Sequence, residues 1–463
     1  MKYTSTRGQA RPLDFTEALL AGLAEDGGLY VPHHWPQFNA YEIQAMAGLP
    51  YAALALRVMQ PLVGDSIASG ILKKLIDESY AGFDHAAITP LVQLDHNNWL
   101  LELFHGPTLA FKDVALQLVG RLFDTVLSQR GERVNILVAT SGDTGSAAIH
   151  AIRGRDAANI FVLHPRGRTS EIQRRQMTTV LDANVHNIAI EGTFDDCQAL
   201  VKAMFNHAAF RAHARLSGMN SINWARVMPQ IVYYFHAALS LGGGARPLDF
   251  CVPTGNFGDV YAGYAARRMG LPVHRLLVAT NENDILARTL ATGKYTLGAV
   301  RPTMSPSMDI QVSSNFERLL YEACSCDAAQ VQALMDSLPQ SGEFTLPSAA
   351  HDYISSMFSA YRVDEAATLE EIARTYKETG MLIDPHTAVG RAAARRHMGD
   401  AAIPMVCLAT AHPAKFPDAV EKATGVRPQL PPRYADLMQL PERCATLAND
   451  LSLVEAFIEA KIQ

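Results

Sequence analysis

The chain has little cysteine: six residues in 463, at positions 197, 251, 324, 326, 407 and 444. That is too few for a disulfide framework and suits a reducing compartment. Cys324 and Cys326 are the one close pair, and a C-x-C with no second pair or neighbouring histidine does not make a zinc site. The sixteen histidines are scattered without an H-E-x-x-H arrangement, so no metal is expected. Also missing are a run of about 18 apolar residues that could cross a membrane and, in the opening Met1-Lys2-Tyr3-Thr4-Ser5-Thr6-Arg7-Gly8, the apolar core of a signal peptide. The expectation is a cytoplasmic protein. A basic excess is absent too: the net charge is −6, which disfavours nucleic acid or an anionic membrane as partner. There is no G-x-G-x-x-G fingerprint and no Gly-Lys-Ser/Thr phosphate loop, and no internal repeat or low-complexity segment is visible.

What is present is an ordinary globular composition, 48% hydrophobic and 19% charged, in a chain long enough for two or three domains. The first ninety or so residues look mainly helical, with Phe15 to Leu23 followed by a turn at Glu25-Asp26-Gly27-Gly28. From about residue 97, short apolar strands alternate with helices, which predicts α/β domains with parallel sheets and crossover helices. Candidate strands are Val134 to Ala139, Ile160 to His164, Val185 to Ile190, Phe250 to Pro253, Leu276 to Ala279 and Met405 to Ala409. Several are continuous apolar runs, as strands covered on both faces should be. Between about 300 and 378 the pattern turns helical again and reads as an insertion.

The stretch Phe104-His105-Gly106-Pro107-Thr108-Leu109-Ala110-Phe111-Lys112-Asp113 organises the chain. Val114, Ala115, Leu118, Val119, Leu122 and Phe123 follow at helical spacing, so Lys112 stands near a helix start among apolar neighbours. Desolvation disfavours an ammonium, which is what an amine needs before it attacks an aldehyde and holds a Schiff base. The alternative is a lysine whose stem packs on apolar surface while its head reaches water.

Two strand-to-helix turns carry anion chemistry. Thr140-Ser141-Gly142-Asp143-Thr144-Gly145 follows Val134 to Ala139, where the unpaired amides of a new helix can hold a carboxylate or phosphate; equally, Asp143 or Thr144 could simply cap the helix. Thr254-Gly255-Asn256-Phe257-Gly258-Asp259 follows Phe250 to Pro253, and its two glycines let backbone amides close around a dianion. A third cluster, Asn220-Ser221-Ile222-Asn223-Trp224-Ala225-Arg226, offers polar donors and a guanidinium suited to bidentate phosphate or carboxylate recognition. A fourth, Leu408-Ala409-Thr410-Ala411-His412, puts a hydroxyl at the carboxyl end of a late strand, the edge at which open α/β sheets bind ligands.

A Schiff-base lysine, a phosphate cradle, a second anion site and a strand-end hydroxyl are the parts of a pyridoxal phosphate site. The segments HGPTLAFKD, SGDTGSAA, NSINWAR, PTGNFGD and ATAHPAKF resemble the signatures of the threonine synthase family, and KYTSTRG and AEDGGLYVP resemble its amino-terminal domain. The resemblance runs nearly end to end. It implies a fold type II enzyme using pyridoxal 5'-phosphate, with two parallel-sheet α/β domains, the cofactor between them, and a mainly helical N-terminal domain.

The implied boundaries are 1–95 for the N-terminal domain, 96–130 with 222–463 for the cofactor-binding domain, and 131–221 for a small substrate-binding domain. The implied reaction is the last step of threonine biosynthesis, O-phospho-L-homoserine and water to L-threonine and phosphate. By matching position, Lys112 is the Schiff-base lysine, and Gly255, Asn256, Phe257, Gly258 and Asp259 hold the cofactor phosphate. Ser141, Gly142, Asp143 and Thr144 meet the substrate carboxylate, Asn220, Ser221 and Arg226 hold the substrate phosphate, and Thr410 faces the pyridine nitrogen. A hydroxyl there, in place of an acidic partner, tunes down the electron-sink character of the ring. Two other outcomes stay open: a related phospho-lyase giving 2-oxobutyrate, and a catalytically silent ligand-binding protein. The expected assembly is a monomer or small homo-oligomer.

Overall fold

The computed structural model describes residues 1–397 and 399–462. By contact the chain divides into a larger unit, residues 1–105 with 221–428, and a smaller one, residues 106–220 with 429–463.

The larger unit is built on a six-stranded sheet in the order Phe358–Arg362, Val273–Thr280, Leu248–Pro253, Met405–Ala409, Asn98–Glu102, Leu91–Gln93. All neighbours run parallel except the last pair, which is antiparallel. The apolar runs have the cause the sequence implies, because both faces are covered. Cys251, Leu277 and Cys407 pack under helix Pro385–Arg396 through Ala388, Val389 and Ala393. On the other face Phe250 meets the ring of Tyr234 at 4.8 Å, and helix Gly258–Arg268 comes so near that a Cβ on Gly263 would lie 2.8 Å from Leu276.

The first hundred residues are largely helical, with Phe15–Ala21, Tyr51–Val63 and Ser69–Tyr80, but the opening segment Tyr3–Ser5 is a strand paired antiparallel with Tyr30–Pro32. Tyr3 is fully buried. Its hydroxyl donates to the Leu62 carbonyl at 2.6 Å and accepts from the Trp224 indole at 2.9 Å. These contacts tie the N-terminal segment to helix Trp224–Gly242, so by contact residues 1–105 group with 221–428 and not apart from them. The stretch 300–378 is also not wholly helical: Phe358–Arg362 is an edge strand of the main sheet.

The smaller unit has a five-stranded, all-parallel sheet in the order Ala445–Ala448, Val185–Glu191, Ala158–Pro165, Val134–Ala139, Leu216–Ser217. Two of its parts lie outside the boundaries implied by resemblance. Helix Lys112–Arg130 belongs here, packed so closely on helix Asp143–Ile152 that a Cβ on Gly120 would come 2.3 Å from the Ala151 carbonyl. The last 35 residues return as well, adding Ala445–Ala448 beside Val185–Glu191 and burying Val454 and Ile458 against Leu137, Phe161 and Ile188. Among the described residues no helix is long and apolar enough to cross a membrane.

Candidate active site

In the smaller unit the loop ahead of Lys112 is held by its own side chains. The amide of Thr108 donates to Asp113 Oδ2 at 2.6 Å and its hydroxyl to Oδ1 at 2.8 Å, while the Gln176 carboxamide donates to the Thr108 carbonyl at 3.2 Å. Leu109 is left-handed at φ 61°, a cost that the surrounding bonds must offset. Lys112 opens helix Lys112–Arg130 and is 8% exposed, as the apolar spacing predicts. Its surroundings are not simply apolar, however: Nζ lies 3.6 Å from Asp143 Oδ2. The reason is the helix packing at Gly120, which brings the start of one helix beside the start of the other.

In the Ser141 to Thr144 turn the Asp143 side chain does not cap the helix. The N-cap residue is Gly142, and the Thr140 hydroxyl oxygen two residues before it accepts from the amides of Gly142 and Gly145, each at 2.9 Å. Asp143 is buried, facing Lys112 with one oxygen and accepting from Gln173 Nε2 at 2.9 Å with the other. Gly142 has φ 144°, and a Cβ there would strike the Gln173 carboxamide at 2.4 Å. Ser141 and Thr144 are half-buried in the same turn.

In the larger unit the carboxyl edge of three adjacent strands gathers the remaining candidates. Cys251 and Cys407 pair in register, so Thr254 and Thr410 lie level, three residues beyond, and both are buried. Leu103 donates to the Ala409 carbonyl at 3.0 Å, which sets Phe104 beside this edge, in edge contact with His412 at 5.4 Å. After Thr254 the turn enters helix Gly258–Arg268 through Phe257, left-handed at φ 65°, and no side chain caps the first turn. Ser313 donates to the Gly255 carbonyl at 2.7 Å. A Cβ on Gly255 would meet the Ser307 carbonyl at 2.9 Å, so glycine there admits the 303–310 loop.

The segment that the sequence offers as a second anion site is joined to this turn through Ser221. Asn256 donates its carboxamide to the Ser221 hydroxyl, and Asn315 Nδ2 reaches the carbonyls of Ser221 at 3.2 Å and Asn256 at 3.1 Å. Arg318, fully buried, donates to Tyr30 O at 3.0 Å, to Ile222 O at 2.5 Å and to Asn315 Oδ1. Asn223 caps helix Trp224–Gly242, and Arg226 in its first turn is 7% exposed. Burial pushes that guanidinium down to about 10, so it remains a cation at neutral pH. Asn220 is exposed and falls within the smaller unit.

Asp259, the last residue of the turn, directs its side chain away from the turn's amides. Its side chain turns into the protein to accept from Tyr233 and, at 3.1 Å, from Tyr234. Several contributors were not singled out from the sequence: Thr140, Gln173, Ser313, Asn315, Arg318, and an Asp384–His386 pair at 2.8 Å whose Nε2 accepts from the Ser307 amide at 3.3 Å. The polar run Ser313-Ser314-Asn315 ahead of a helix was the one available signal, and it lies in the stretch read as an insertion.

Taken separately, each unit fits pyridoxal phosphate. One supplies a buried lysine at a helix start; the other supplies a glycine-bearing helix entry with an uncapped first turn and a buried hydroxyl level with it. The fold and these sites define a pyridoxal-phosphate-dependent enzyme of fold type II, and the family described as pyridoxal-phosphate dependent enzyme matches residues 83–410. Residues 2–80 match threonine synthase N terminus and 387–458 match threonine synthase, C-terminal. The chain is 55% identical to threonine synthase of Pseudomonas aeruginosa over 99% of its length and 98% of that protein's. A crystal structure of PLP-bound threonine synthase from Brucella melitensis superposes with a TM-score of 0.98 at 55% identity, covering all of both chains. Yeast threonine synthase gives 0.95 at 39% identity over 100% of this chain and 98% of that one. The chain belongs to the threonine synthase family.

Proposed function

We propose that this enzyme converts O-phospho-L-homoserine and water to L-threonine and phosphate, with Lys112, the 255–259 turn and Arg226 in the roles that the motifs imply. The observation that carries the reading is the tie between Ser221 and Asn256, which joins a second anion segment, with the buried cation Arg226, to the turn suited to a cofactor phosphate. A substrate that itself bears a phosphate needs such a second site.

Bound pyridoxal phosphate supplies an aldehyde that condenses with amines and a ring that draws electrons from Cα. Lys112 would hold it in the resting enzyme, and its amine, when free, would be the base for the Cα proton and next a Cβ proton. Asp143 is placed to steady Lys112 as it gains charge, and the amides of Ser141 to Thr144 hold the substrate carboxylate. Arg226, with Ser221 and Asn220, holds the phosphate as the Cγ–O bond breaks. After Cγ is protonated, water would add at Cβ, giving its proton to the retained phosphate, and Lys112 would return a proton to Cα. Thr410 is proposed to face the ring nitrogen. Outright loss of 2-oxobutyrate and ammonia is not favoured, because the likeness to threonine synthases spans the whole chain.

A cytoplasmic monomer or small homo-oligomer acting on a small molecule is part of the same proposal. Six free thiols and the net charge of −6 support it over a nucleic-acid or membrane partner. Purified protein given O-phosphohomoserine is expected to yield threonine and phosphate in equal amounts by amino-acid analysis and phosphate assay; phosphate with 2-oxobutyrate would overturn the reading. Gly258→Ala tests the cradle. Its Cβ would meet Asn315 Nδ2 at 3.3 Å, so the carboxamide that braces Ser221 and Asn256 must give slightly. A several-fold loss of cofactor affinity is expected in a protein that melts within a few degrees of the parent, and unchanged affinity would make the turn an ordinary connector.

A further inference from the structure

A carboxylate is an odd neighbour for a phosphate, yet Asp259 is the second residue of the cradle helix Gly258–Arg268. The structure hides it. The side chain is buried, and Oδ1 accepts from Tyr233 and Tyr234; the Tyr234 hydroxyl also lies 3.0 Å from the Asp259 carbonyl, so its one hydrogen is shared. Oδ2 is buried with no hydrogen-bond partner among the described residues. The groups that face Asp259 from the neighbouring helix are these two phenols. Behind them stand Tyr51 of helix Tyr51–Val63 and the Cys251 thiol of strand Leu248–Pro253. Burial pushes all of these phenols and that thiol far above their ordinary range, so none is charged at neutral pH. Among the described residues no cation acts on Asp259 to offset its ionised form, and burial pushes the carboxyl up to about 7 despite the two phenol donors.

We infer that Asp259 is a positioning residue that takes up a proton as the cofactor phosphate enters the turn. The inference rests on the phosphate reading of residues 255–259. Two like charges in one helix turn disfavour each other, so a bound phosphate favours the neutral acid. The neutral acid gains more than charge relief: its proton can sit on Oδ2 while Oδ1 keeps both tyrosines. Those tyrosines lie on the helix that carries Arg226, and Tyr233 is two turns on from Arg226 along the same face. The carboxyl therefore pins the helix of the second anion site to the helix of the first.

The sign of the effect follows from linkage. A group whose affinity for a proton rises on binding contributes fully to cofactor affinity below its value in the free protein. That contribution is lost as pH climbs through about 7 toward the higher value in the complex, by up to about ten-fold per pH unit. The test is the Kd of pyridoxal phosphate for the cofactor-stripped protein from pH 6 to 9, in the parent and in Asp259→Asn, which keeps an acceptor for the tyrosines and carries no charge. Between pH 7 and 8.5 the parent should lose about ten-fold more affinity than the variant. With pyridoxal, which has the aldehyde and lacks the phosphate, the two profiles should run parallel. Parallel profiles with pyridoxal phosphate as well would overturn the inference. Tyr233→Phe gives an independent reading. Removing one donor to the ionised form should move the decline to higher pH, and a profile that stays in place counts against the proposal. An unchanged affinity in Gly258→Ala would instead sink the cradle itself, so the two failures are distinct.

Discussion

Lys112→Ala should leave a folded protein that turns over O-phosphohomoserine slower by at least the 10²- to 10⁴-fold typical of a lost general base. It should also lose its cofactor on gel filtration, since the phosphate turn alone would hold it. Borohydride reduction of the parent should fix the cofactor covalently to the peptide containing Lys112. Reduction traps an imine and not a docked aldehyde, so peptide mapping decides the matter. Lys112→Arg sharpens the test, because Asp143 lies 3.6 Å from Nζ and a merely structural ion pair would be restored by another cation. A guanidinium does not lose its proton at neutral pH and cannot attack an aldehyde. The arginine variant is therefore expected to be as inactive as the alanine one. Activity rescued by arginine, or a label on any other lysine, would remove the centre of the mechanism.

Arg226→Ala should lose turnover by roughly thirty-fold to several thousand-fold, the range for removing a guanidinium from a desolvated phosphate contact, about 2 to 5 kcal/mol. Arg226 is 7% exposed and still cationic at neutral pH, so its interaction with a phosphate would be little screened by solvent. The variant should nevertheless keep its cofactor, and threonine should still change the cofactor spectrum, because threonine carries a carboxylate and no phosphate. Its carboxylate is proposed to be held by the Ser141 to Thr144 turn. Arg226→Lys is expected to recover a part of the loss through its point charge, without the bidentate geometry. If Arg226→Ala lost cofactor and threonine binding as badly as turnover, the arginine would support the fold or the cofactor and not the substrate phosphate.

The sequence by itself determined the class of fold and the family, and its motifs are the ground on which the position of the chemistry is proposed. Strands covered on both faces must be apolar throughout, so Val134–Ala139 and Met405–Ala409 read with their observed bounds. Strand-to-helix turns favour small residues where the backbone is left-handed or closely approached, so both turns proposed to hold anions were visible as Gly-bearing segments. The directions of side chains were not visible. Asp143 turns to Lys112 because Gly120 lets two helices touch, and Asp259 turns to Tyr233 because helix Trp224–Gly242 lies against the cradle helix. Asn315 and Arg318 brace Ser221, Ile222 and Asn256 from a stretch that by pattern alone was an insertion, and the last 35 residues return to the smaller sheet. Local periodicity reports only which face of an element is buried. Which distant element covers that face, and hence where a carboxylate or guanidinium finds its partner, depends on packing between segments far apart in the chain, and only the tertiary structure decides it.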